Sequence, residues 1–239
     1  TQADEMTSSF LEEYSELGKA DQFRVWHRLN TNSSQIFGIL AFDGYNPLQL
    51  QRHANYTDAM LQSAKLIDLA GIKYLPCQYY AGCVDEYYFP RVFFVNDYQV
   101  VSDTTEVLDA LSKTNPGITA ILEEPSVPTF PSTTSSQDNT KNITIDDSGP
   151  GYWDLSVQSN KSAFLVLTEA YYPGWSVTID GQSAKTYRAD YLFQGTVVPS
   201  GNHKVSFYFD SIPFKIGLVI TIFGLIFVLI STVFAFTWG

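Results

Sequence analysis

Residues 168–182 read TEAYYPGWSVTIDGQ, and this stretch decides the fold class of the second half of the chain. Residues 175–179 alternate between apolar and polar side chains, which is typical of a strand with one buried face. Pro173 has no N–H to donate to a sheet and Gly174 permits a sharp turn, so the two end the apolar run before them. The Asp-Gly pair at 180–181 fits a tight hairpin turn. The stretch therefore predicts β strands separated by turns.

The same pattern continues on both sides of this stretch. Over residues 142–210, short strand-like runs are separated by turn residues at the spacing of all-β domains. We therefore predict a jelly-roll-like β-sandwich domain for residues 142–210. Before it, residues 125–141 read PSVPTFPSTTSSQDNTK, and the three prolines and the Ser/Thr tract predict a linker or an exposed loop.

Residues 1–124 alternate between helical and strand-like patterns, which predicts a mixed α/β layer domain. The segment TTEVLDALSK at 104–113 has helical spacing, and Thr104 or Thr105 is expected to cap the helix. The run RVFFVNDYQVV at 91–101 is predicted to be one strand. The predicted fold class is α+β, with the mixed α/β domain followed by the all-β sandwich.

The end of the chain carries the strongest single signal. From Ile216 to Trp238 it reads IGLVITIFGLIFVLISTVFAFTW, 23 residues without a charge, a proline, an asparagine or a glutamine. As a helix this run is about 34 Å long, enough to cross a hydrocarbon core of about 30 Å. The alternative, a buried core helix, is usually shorter and keeps some polar positions. We therefore predict a transmembrane helix at 214–238, with Lys215 and Trp238 as interfacial anchors.

The overall charge excludes several kinds of partner. Among the 239 residues, 14 are basic and 25 are acidic, so the formal net charge is −11. Nucleic-acid binding needs a clustered basic surface, which this composition does not favour. The same balance argues against docking of the soluble part on anionic lipid head groups. The aromatic content of 15% is enough to build a sizeable core.

Two kinds of short motif bear on the compartment. The motif PCQYYAGC contains Cys77 and Cys83, whose spacing suits a small disulfide-closed loop in an oxidising compartment, and two free thiols are the alternative. Four sequons also permit N-linked glycosylation. Their acceptor residues are Asn32, Asn55, Asn142 and Asn160. Together with the acidic composition, these features predict a protein of the cell membrane whose soluble part is extracytoplasmic.

The aromatic residues of the opening stretch have two interpretations. In the functional one, Tyr171, Tyr172 and Trp175 form a stacking surface for sugar rings. Arg188 and Asp180 then supply hydrogen-bonding groups to the sugar hydroxyls. In the structural one, Trp175 is a core residue, because its alternation with two β-branched residues places it on the apolar side of its strand.

Other residue types that carry chemistry are present without a supporting pattern. Adjacent acidic residues are typical of a solvated surface, since glycosidase carboxylates come together from separate strands. They stand at Glu12-Glu13, Asp85-Glu86, Glu123-Glu124 and Asp146-Asp147. A calcium site at Asp146-Asp147, with Asn142 and Asp138, lacks the EF-hand pattern. The three histidines have no companion motif, so we predict neither a metal site nor a catalytic residue.

Several motifs follow one another along the C-terminal third of the chain. They are Tyr171-Tyr172-Pro173-Gly174-Trp175, Asp180-Gly181, Arg188-Ala189, the PSGNHKV run at 199–205, and Phe207-Tyr208-Phe209 leading into the apolar helix. This series resembles the closing extracytoplasmic domain of the YfhO family, large bacterial polytopic membrane proteins related to GT-C glycosyltransferases. Upstream, residues 44–48, 72–74 and 90–93 resemble family blocks in the same order. The two cysteines and the insertion at 125–141 depart from the family pattern.

The resemblance implies a parent protein that transfers a sugar from a lipid-phosphate carrier to a cell-envelope acceptor on the outer side of the membrane. In GT-C enzymes the acidic catalytic residue lies on a loop between early membrane helices, and no such helix is seen in this sequence. We therefore expect no catalytic residue and no cofactor here, and no catalysis by this chain alone. The expected partners are the lipid bilayer, a cell-envelope glycan or polymer, and preceding transmembrane helices of the same protein.

A different class of protein is the alternative. A single-pass surface protein, anchored by its C-terminus, could bind carbohydrate or a protein partner without doing chemistry. Thr1 is not a methionine and no apolar segment follows it, so either a signal peptide was removed or a longer membrane protein precedes it. The sequence leaves these two alternatives open.

Overall fold

The computed structural model describes residue 42 and residues 49–60, 62–73, 87–124 and 141–238. Within these ranges the chain forms four helices. They are α1 Gln51–Met60, α2 Ala64–Leu69, α3 Thr104–Lys113 and α4 Ile212–Trp238. The chain divides into two compact units, one of Thr1–Arg91 with Leu108–Pro116 and the other of Val92–Val107 with Gly117–Gly239.

Eleven strands lie in the same described ranges, and all of them belong to the second unit. They are β1 Val92–Val95, β2 Asp97–Val100, β3 Thr119–Leu122, β4 Lys141–Gly149, β5 Tyr152–Ser159, β6 Ala163–Leu167, β7 Trp175–Ile179, β8 Gln182–Ala184, β9 Tyr187–Ala189, β10 Phe193–Val198 and β11 Gly201–Phe209. They form two sheets, so the predicted α+β class with a β-sandwich is confirmed.

The larger sheet has six strands in the order β1-β6-β10-β9-β3-β2. Strand β6 lies inside this sheet and reads AFLVL, and all five of its residues are buried. A continuous apolar run is what a strand covered on both faces requires, because each face must avoid water. Strands β1 to β3 come from the predicted N-terminal domain, yet they share this sheet with strands from 163–198.

The predicted strand at 91–101 is two strands in the structure. Strand β1 pairs antiparallel with β6, whereas β2 pairs parallel with β3. The break falls at Asn96, where the N–H groups of Asn96 and Asp97 both donate to the carbonyl oxygen of Ile118 at 3.1 Å. Periodicity alone could not show this break, because both halves of the run have strand-like composition.

Helix α3 has the predicted bounds, but its cap is a different residue. Asp103, not a threonine, caps the helix: its Oδ1 accepts hydrogen bonds from the Thr105 N–H at 2.9 Å and from the Thr105 hydroxyl at 2.7 Å. An aspartate is among the best N-cap residues, since its carboxylate accepts from the free N–H groups of the first turn. These bonds lower the pKa of Asp103.

The smaller sheet has five strands in the order β4-β5-β11-β7-β8. Strand β11 lies at its centre and pairs antiparallel with β5 and β7. Asp180 and Gly181 join β7 to β8 with φ angles of +52° and +77°, as a two-residue hairpin turn requires. The predicted turn at 180–181 is therefore confirmed. On the outer strand, β4, the register shifts between Ile145 and Asp147.

The core of the sandwich is built from inward-facing side chains of both sheets. Buried apolar residues from β1, β6 and β10 pack with buried residues from β5, β7 and β11. They are Val92, Phe94, Trp153, Leu155, Val157, Ala163, Leu165, Leu167, Val177, Val198, Val205 and Phe207. Trp175 and Ile179 pack against this cluster from the rim. The alternation in the opening stretch therefore places Trp175 on the core side of β7.

Helices α1 and α2 belong to the first compact unit. Tyr56 on α1 is fully buried, and its hydroxyl donates to the carbonyl oxygen of Leu66 on α2 at 2.9 Å. This bond supplies the polar partner that a buried tyrosine hydroxyl needs. It also fixes the two short helices against each other.

Helix α4 is the predicted membrane helix, and it begins two residues earlier than expected. Its residues Ile212–Phe234 have a mean hydropathy of 2.7, and within the described part of the chain it is the one helix long and apolar enough to cross a bilayer. The side chains that the structure describes in this helix are exposed. Of the predicted linker at 125–141, only Lys141 is described, and it is the first residue of β4.

We predict that Gly195→Ala destabilises the sandwich strongly. A Cβ atom at Gly195 would overlap the carbonyl oxygen of Leu165 and lie 2.5 Å from the Cε1 atom of the Phe164 ring. Both are held in the buried strand β6, so neither can move away cheaply. We expect a loss of about 3 kcal/mol in the free energy of unfolding, measured by denaturant unfolding in detergent.

Gly181→Asn is the matched control for this substitution. Nothing lies within 4 Å of a Cβ atom at Gly181, and asparagine tolerates its positive φ better than other residues. We expect a change within about 0.5 kcal/mol. An unfolding midpoint of Gly195→Ala equal to that of the unsubstituted chain would contradict the packing of β6 on β10.

Candidate functional site

Arg188 is the centre of a group of polar and aromatic contacts in the second unit. It lies on β9 opposite Gln194 of β10. Its guanidinium carbon is 4.7 Å from the centroid of the Tyr171 ring, which is a cation–π distance. Its Nη1 atom is 3.5 Å from a carboxylate oxygen of Glu123, and the side chains of Arg188 and Glu123 are 29% and 10% exposed. The charge pair is therefore partly desolvated but still reachable from solvent.

Next to Arg188 lie polar atoms that have no partner among the described residues. Gln194 is fully buried, and neither its side-chain nitrogen nor its oxygen makes a hydrogen bond. The same holds for Nε of Arg188 and the hydroxyl of Thr186. Buried polar groups are nearly always hydrogen-bonded in folded proteins. Leaving such groups unpaired costs free energy, so this neighbourhood is less well satisfied than an ordinary core.

A second charge pair lies on the other side of the same strands. The Nζ atom of Lys185 is 2.6 Å from a carboxylate oxygen of Glu124 and 4.7 Å from the centroid of the Tyr187 ring. The hydrogen bond with Glu124 raises the pKa of Lys185. Because both side chains are well exposed, this pair contributes little to stability. The pair holds the charged end of Lys185 beside β9.

The structure divides the four predicted glycan contacts into two groups. Tyr171 contacts Arg188, as described above. Tyr172 and Trp175 instead contact Phe209, with ring centroids 6.3 and 5.8 Å apart. Tyr172 is 49% exposed, whereas Trp175 is partly covered by the core. Tyr171 and Tyr172 are adjacent in sequence, but their rings contact different residues.

Gly174 explains the turn between Tyr172 and Trp175. Its φ angle is +121°, and a Cβ atom there would lie 2.9 Å from the Phe209 ring and 3.2 Å from the Asp210 carbonyl oxygen. Its own carbonyl oxygen accepts a hydrogen bond from the N–H of Asp210 at 2.8 Å. The backbone of the YYPGW motif therefore packs against Phe209 and Asp210, close to the start of α4.

Asp180 and His203 form a side-chain bridge across β7 and β11. The Nδ1 atom of His203 is 2.7 Å from Oδ2 of Asp180, while Oδ1 of Asp180 accepts a hydrogen bond from the Lys204 N–H at 2.8 Å. The hydrogen bond from His203 is the main reason that the pKa of Asp180 is lowered. The same bond raises the pKa of His203. Asp180 therefore acts as a structural acceptor.

Asp190 is a buried carboxyl that the sequence reasoning missed. It begins the β9–β10 turn with a φ of +51°, followed by Tyr191 at +70°. Its Oδ1 accepts from the N–H of Ile121 at 2.8 Å, and its own N–H donates to the carbonyl oxygen of Ile121 at 2.8 Å. Burial raises its pKa to about 7. The signal in the sequence that could have indicated a buried carboxyl is an aspartate within YRADYLF, a stretch rich in aromatic and apolar residues.

Comparison with known proteins bears on the sandwich and the start of α4. Residues 132–221 match the family model described as bacterial membrane protein YfhO. This matched stretch, residues 132–221, is called the YfhO segment. No curated protein and no solved structure matches the chain. The predicted resemblance is confirmed for this YfhO segment, and with α4 it supports a protein that is associated with a membrane.

The YfhO segment contains both the Arg188 contacts and the Asp180–His203 bridge. It does not extend to residues 44–48, 72–74 or 90–93, so their resemblance to family blocks stays a prediction. The match does not bear on a relationship to GT-C enzymes or on the side of the membrane where the sandwich lies.

The structure describes three of the four predicted N-glycosylation sites and neither cysteine of the predicted disulfide. Asn55 on α1, Asn142 in the YfhO segment and Asn160 after β5 are exposed. Asn32, Cys77 and Cys83 lie outside the described residues, so the predicted disulfide stays a prediction, as does the use of every sequon. Among the described residues, no group of three or more His, Cys, Asp or Glu could hold a metal ion.

We predict that Asp180→Asn lowers the pKa of His203, because it removes the charged acceptor. The bridge stabilises the fold fully above the ordinary pKa of Asp180, 3.8, and below that of His203, 6.5. Its contribution is lost as the pH rises through the raised pKa of His203 or falls through the lowered pKa of Asp180. An NMR titration of histidine-labelled chain measures the shift.

Asp109→Asn serves as the control for this titration, since Asp109 pairs with Lys113 on an exposed helix face far along the sequence. His203→Gln assigns the resonance. An unchanged His203 pKa in Asp180→Asn would show that the bridge does not persist in solution.

We predict that Asp190→Asn reduces the loss of stability at alkaline pH. A carboxyl with a raised pKa contributes stability that is complete below its ordinary pKa of 3.8 and is lost as the pH rises through about 7. The amide cannot ionise, yet its oxygen can still accept from Ile121. Unfolding midpoints at pH 5 and pH 8 measure the effect, with exposed Asp147→Asn as the control. If the unfolding midpoint fell equally from pH 5 to pH 8 in Asp190→Asn and in Asp147→Asn, the result would contradict the burial of Asp190.

Proposed function

We propose that this chain is the extracytoplasmic module and adjoining membrane helix of a polytopic, GT-C-like protein that transfers sugars from a lipid-linked donor to cell-envelope acceptors. In this proposal the module is non-catalytic and helps to hold the acceptor glycan. The YfhO match and helix α4 support the membrane setting. The catalytic residue and the lipid-phosphate-linked sugar would belong to other parts of the parent protein.

The Arg188 surface is the observation that carries the proposed glycan contact. We use this name for Glu123, Tyr171, Arg188 and Gln194. It combines a planar guanidinium, a carboxylate and a phenol with the buried amide of Gln194 on the neighbouring strand. Sugar hydroxyls both donate and accept hydrogen bonds, so a mixed set of donors and acceptors suits them. Since the guanidinium covers one face of the Tyr171 ring, only the rest of that ring could contact a sugar.

The connection between sandwich and membrane supports a position near a lipid-linked donor. Phe209 ends β11 and Ile212 begins α4, so only residues 210 and 211 lie between them. Two residues span at most about 7 Å. A module on so short a connection stays beside the bilayer, where a lipid-linked sugar would be presented.

The single-pass alternative makes a different prediction about the DNA upstream of Thr1. A polytopic parent requires about ten apolar segments of membrane-spanning length before this chain. A single-pass surface protein requires only a signal peptide. Sequencing the complete gene separates the two, and a signal peptide alone would reject the GT-C-like parent.

We predict that Arg188→Gln in the full-length protein lowers envelope glycosylation several-fold while the chain stays folded. The amide is neutral and loses the forked pair of donors. Arg188→Lys should also reduce activity, because it keeps the charge but not the fork. Incorporation of labelled sugar into the envelope measures the effect, and the unfolding midpoint of each variant checks its stability.

Lys113→Gln is the matched control, since this residue is an exposed cation on α3. Normal glycosylation in both Arg188 variants would reject the Arg188 surface as the glycan contact. Deleting residues 142–210 tests the wider proposal. Unchanged glycosylation after that deletion would reject any role for the sandwich in positioning the acceptor.

A further inference from the structure

Exposed aromatic side chains gather at the end of the five-stranded sheet from which the chain leaves for α4. The antiparallel register sets Tyr208 opposite Tyr152 and Phe209 opposite Trp175. Tyr172 joins them through its contact with Phe209. We call these five residues, Tyr152, Tyr172, Trp175, Tyr208 and Phe209, the membrane-end surface.

The exposure of this surface is unusual for large aromatic residues. Tyr152, Tyr208 and Phe209 are 38%, 40% and 39% exposed, and Tyr172 is 49% exposed. Because neighbouring residues of a strand point to opposite faces, Tyr152 and Tyr208 lie on one face of this end and Trp175 and Phe209 on the other. Exposed apolar area on both faces of one end costs free energy in water and commonly marks a contact with another phase or molecule.

The opposite end of the same sheet has a different character. Exposed residues there are polar: Asn142 on β4, Gln158 on β5, Gln182 on β8 and Asn202 on β11. The register places Asn202 opposite Gln158, and Gln158 opposite Asn142. Aromatic residues thus occupy the end near the membrane helix, and amides occupy the end away from it.

The membrane-end surface is attached firmly to the start of α4. The Gly174 carbonyl accepts from the Asp210 N–H, and Phe209 packs on Gly174 itself. Lys215 in the first turn of α4 lies 2.7 Å from the Asp210 carboxylate. Phe214, also in that turn, is 69% exposed. These contacts keep the aromatic rings at the level where the apolar helix begins.

We propose that the membrane-end surface inserts into the head-group region of the bilayer that α4 enters. Tyrosine and tryptophan are enriched at this level of a membrane, because their rings are apolar and their tips are polar. Tyr152 has such a tip, with its hydroxyl 3.3 Å from the Asp147 carboxylate. The inference requires α4 to span the bilayer, but it does not depend on glycan binding.

The charge at this end identifies what drives the insertion. Asp147, Asp154 and Asp210 lie close to the aromatic rings, and Lys215 is already paired with Asp210. An acidic surface is repelled by anionic lipid head groups. The driving force is therefore burial of aromatic area. Insertion should be at least as deep in zwitterionic as in anionic bilayers, and in zwitterionic bilayers it should be insensitive to salt.

Spin labels test the depth of insertion in the complete chain. Tyr172→Cys and Tyr208→Cys are placed in a Cys77→Ser/Cys83→Ser background, labelled with a nitroxide, and inserted into phosphatidylcholine nanodiscs. We expect the ratio of oxygen to nickel-chelate collision rates to be several-fold higher at these positions than at Asn202→Cys. Asn202 is the matched control, since it is exposed at the other end of β11. Equal ratios would overturn the proposal.

A second measurement needs no substitution, in case the cysteine-free background does not fold. Hydroxyl-radical labelling of the native chain in the same nanodiscs reports the solvent access of each tyrosine. Buried Tyr191 and open Tyr87, which are 3% and 79% exposed, calibrate the two limits. Tyr172 and Tyr208 are 49% and 40% exposed in the chain itself, so rates close to that of Tyr191 support insertion. Rates midway between the two limits would show that these rings face water and would overturn the proposal.

Discussion

The position of β11 constrains both the sandwich and its relation to the membrane. This strand lies at the centre of the smaller sheet, between β5 and β7, and its Val205 and Phe207 are fully buried in the core. It also continues into α4 after two residues. Because a strand fixed in a core cannot swing, the direction of β11 determines which end of the sheet faces the apolar helix.

Most of the motif residues in the C-terminal third stabilise the packing of β11 with its neighbours. Gly174 is required where the chain turns against Phe209, since any side chain would meet the ring. Asp180 accepts hydrogen bonds from His203 and from the Lys204 N–H, which ties the β7–β8 turn to the start of β11. Arg188 is the exception, because its neighbourhood contains unsatisfied polar atoms. Motif residues with satisfied partners are better explained by folding than by ligand binding.

Local patterns predicted the elements better than the way they combine. The apolar helix, the Asp-Gly turn and the core side of Trp175 follow from composition and alternation within a few residues. The entry of β1 to β3 into the larger sheet does not, because their pairing with β6 and β9 depends on contacts some 70 residues away in sequence. Asp190 was missed for the same reason: its partner is Ile121, on another strand. At the site, residue type identified Arg188 and Tyr171, but only the fold separates Tyr172 from them.

The register shift in β4 has a consequence for crowding on a membrane. Within the part of the chain that the structure describes, β4 is the outer strand of its sheet, so one row of its backbone groups has no strand beside it. Such an edge can recruit strands from neighbouring molecules. Confinement to a plane raises the rate of these encounters. The extra residue at Asp146 interrupts the regular spacing of that row, and the adjacent Asp147 adds charge that an incoming strand would have to desolvate. The irregularity therefore protects the anchored protein from edge-to-edge aggregation.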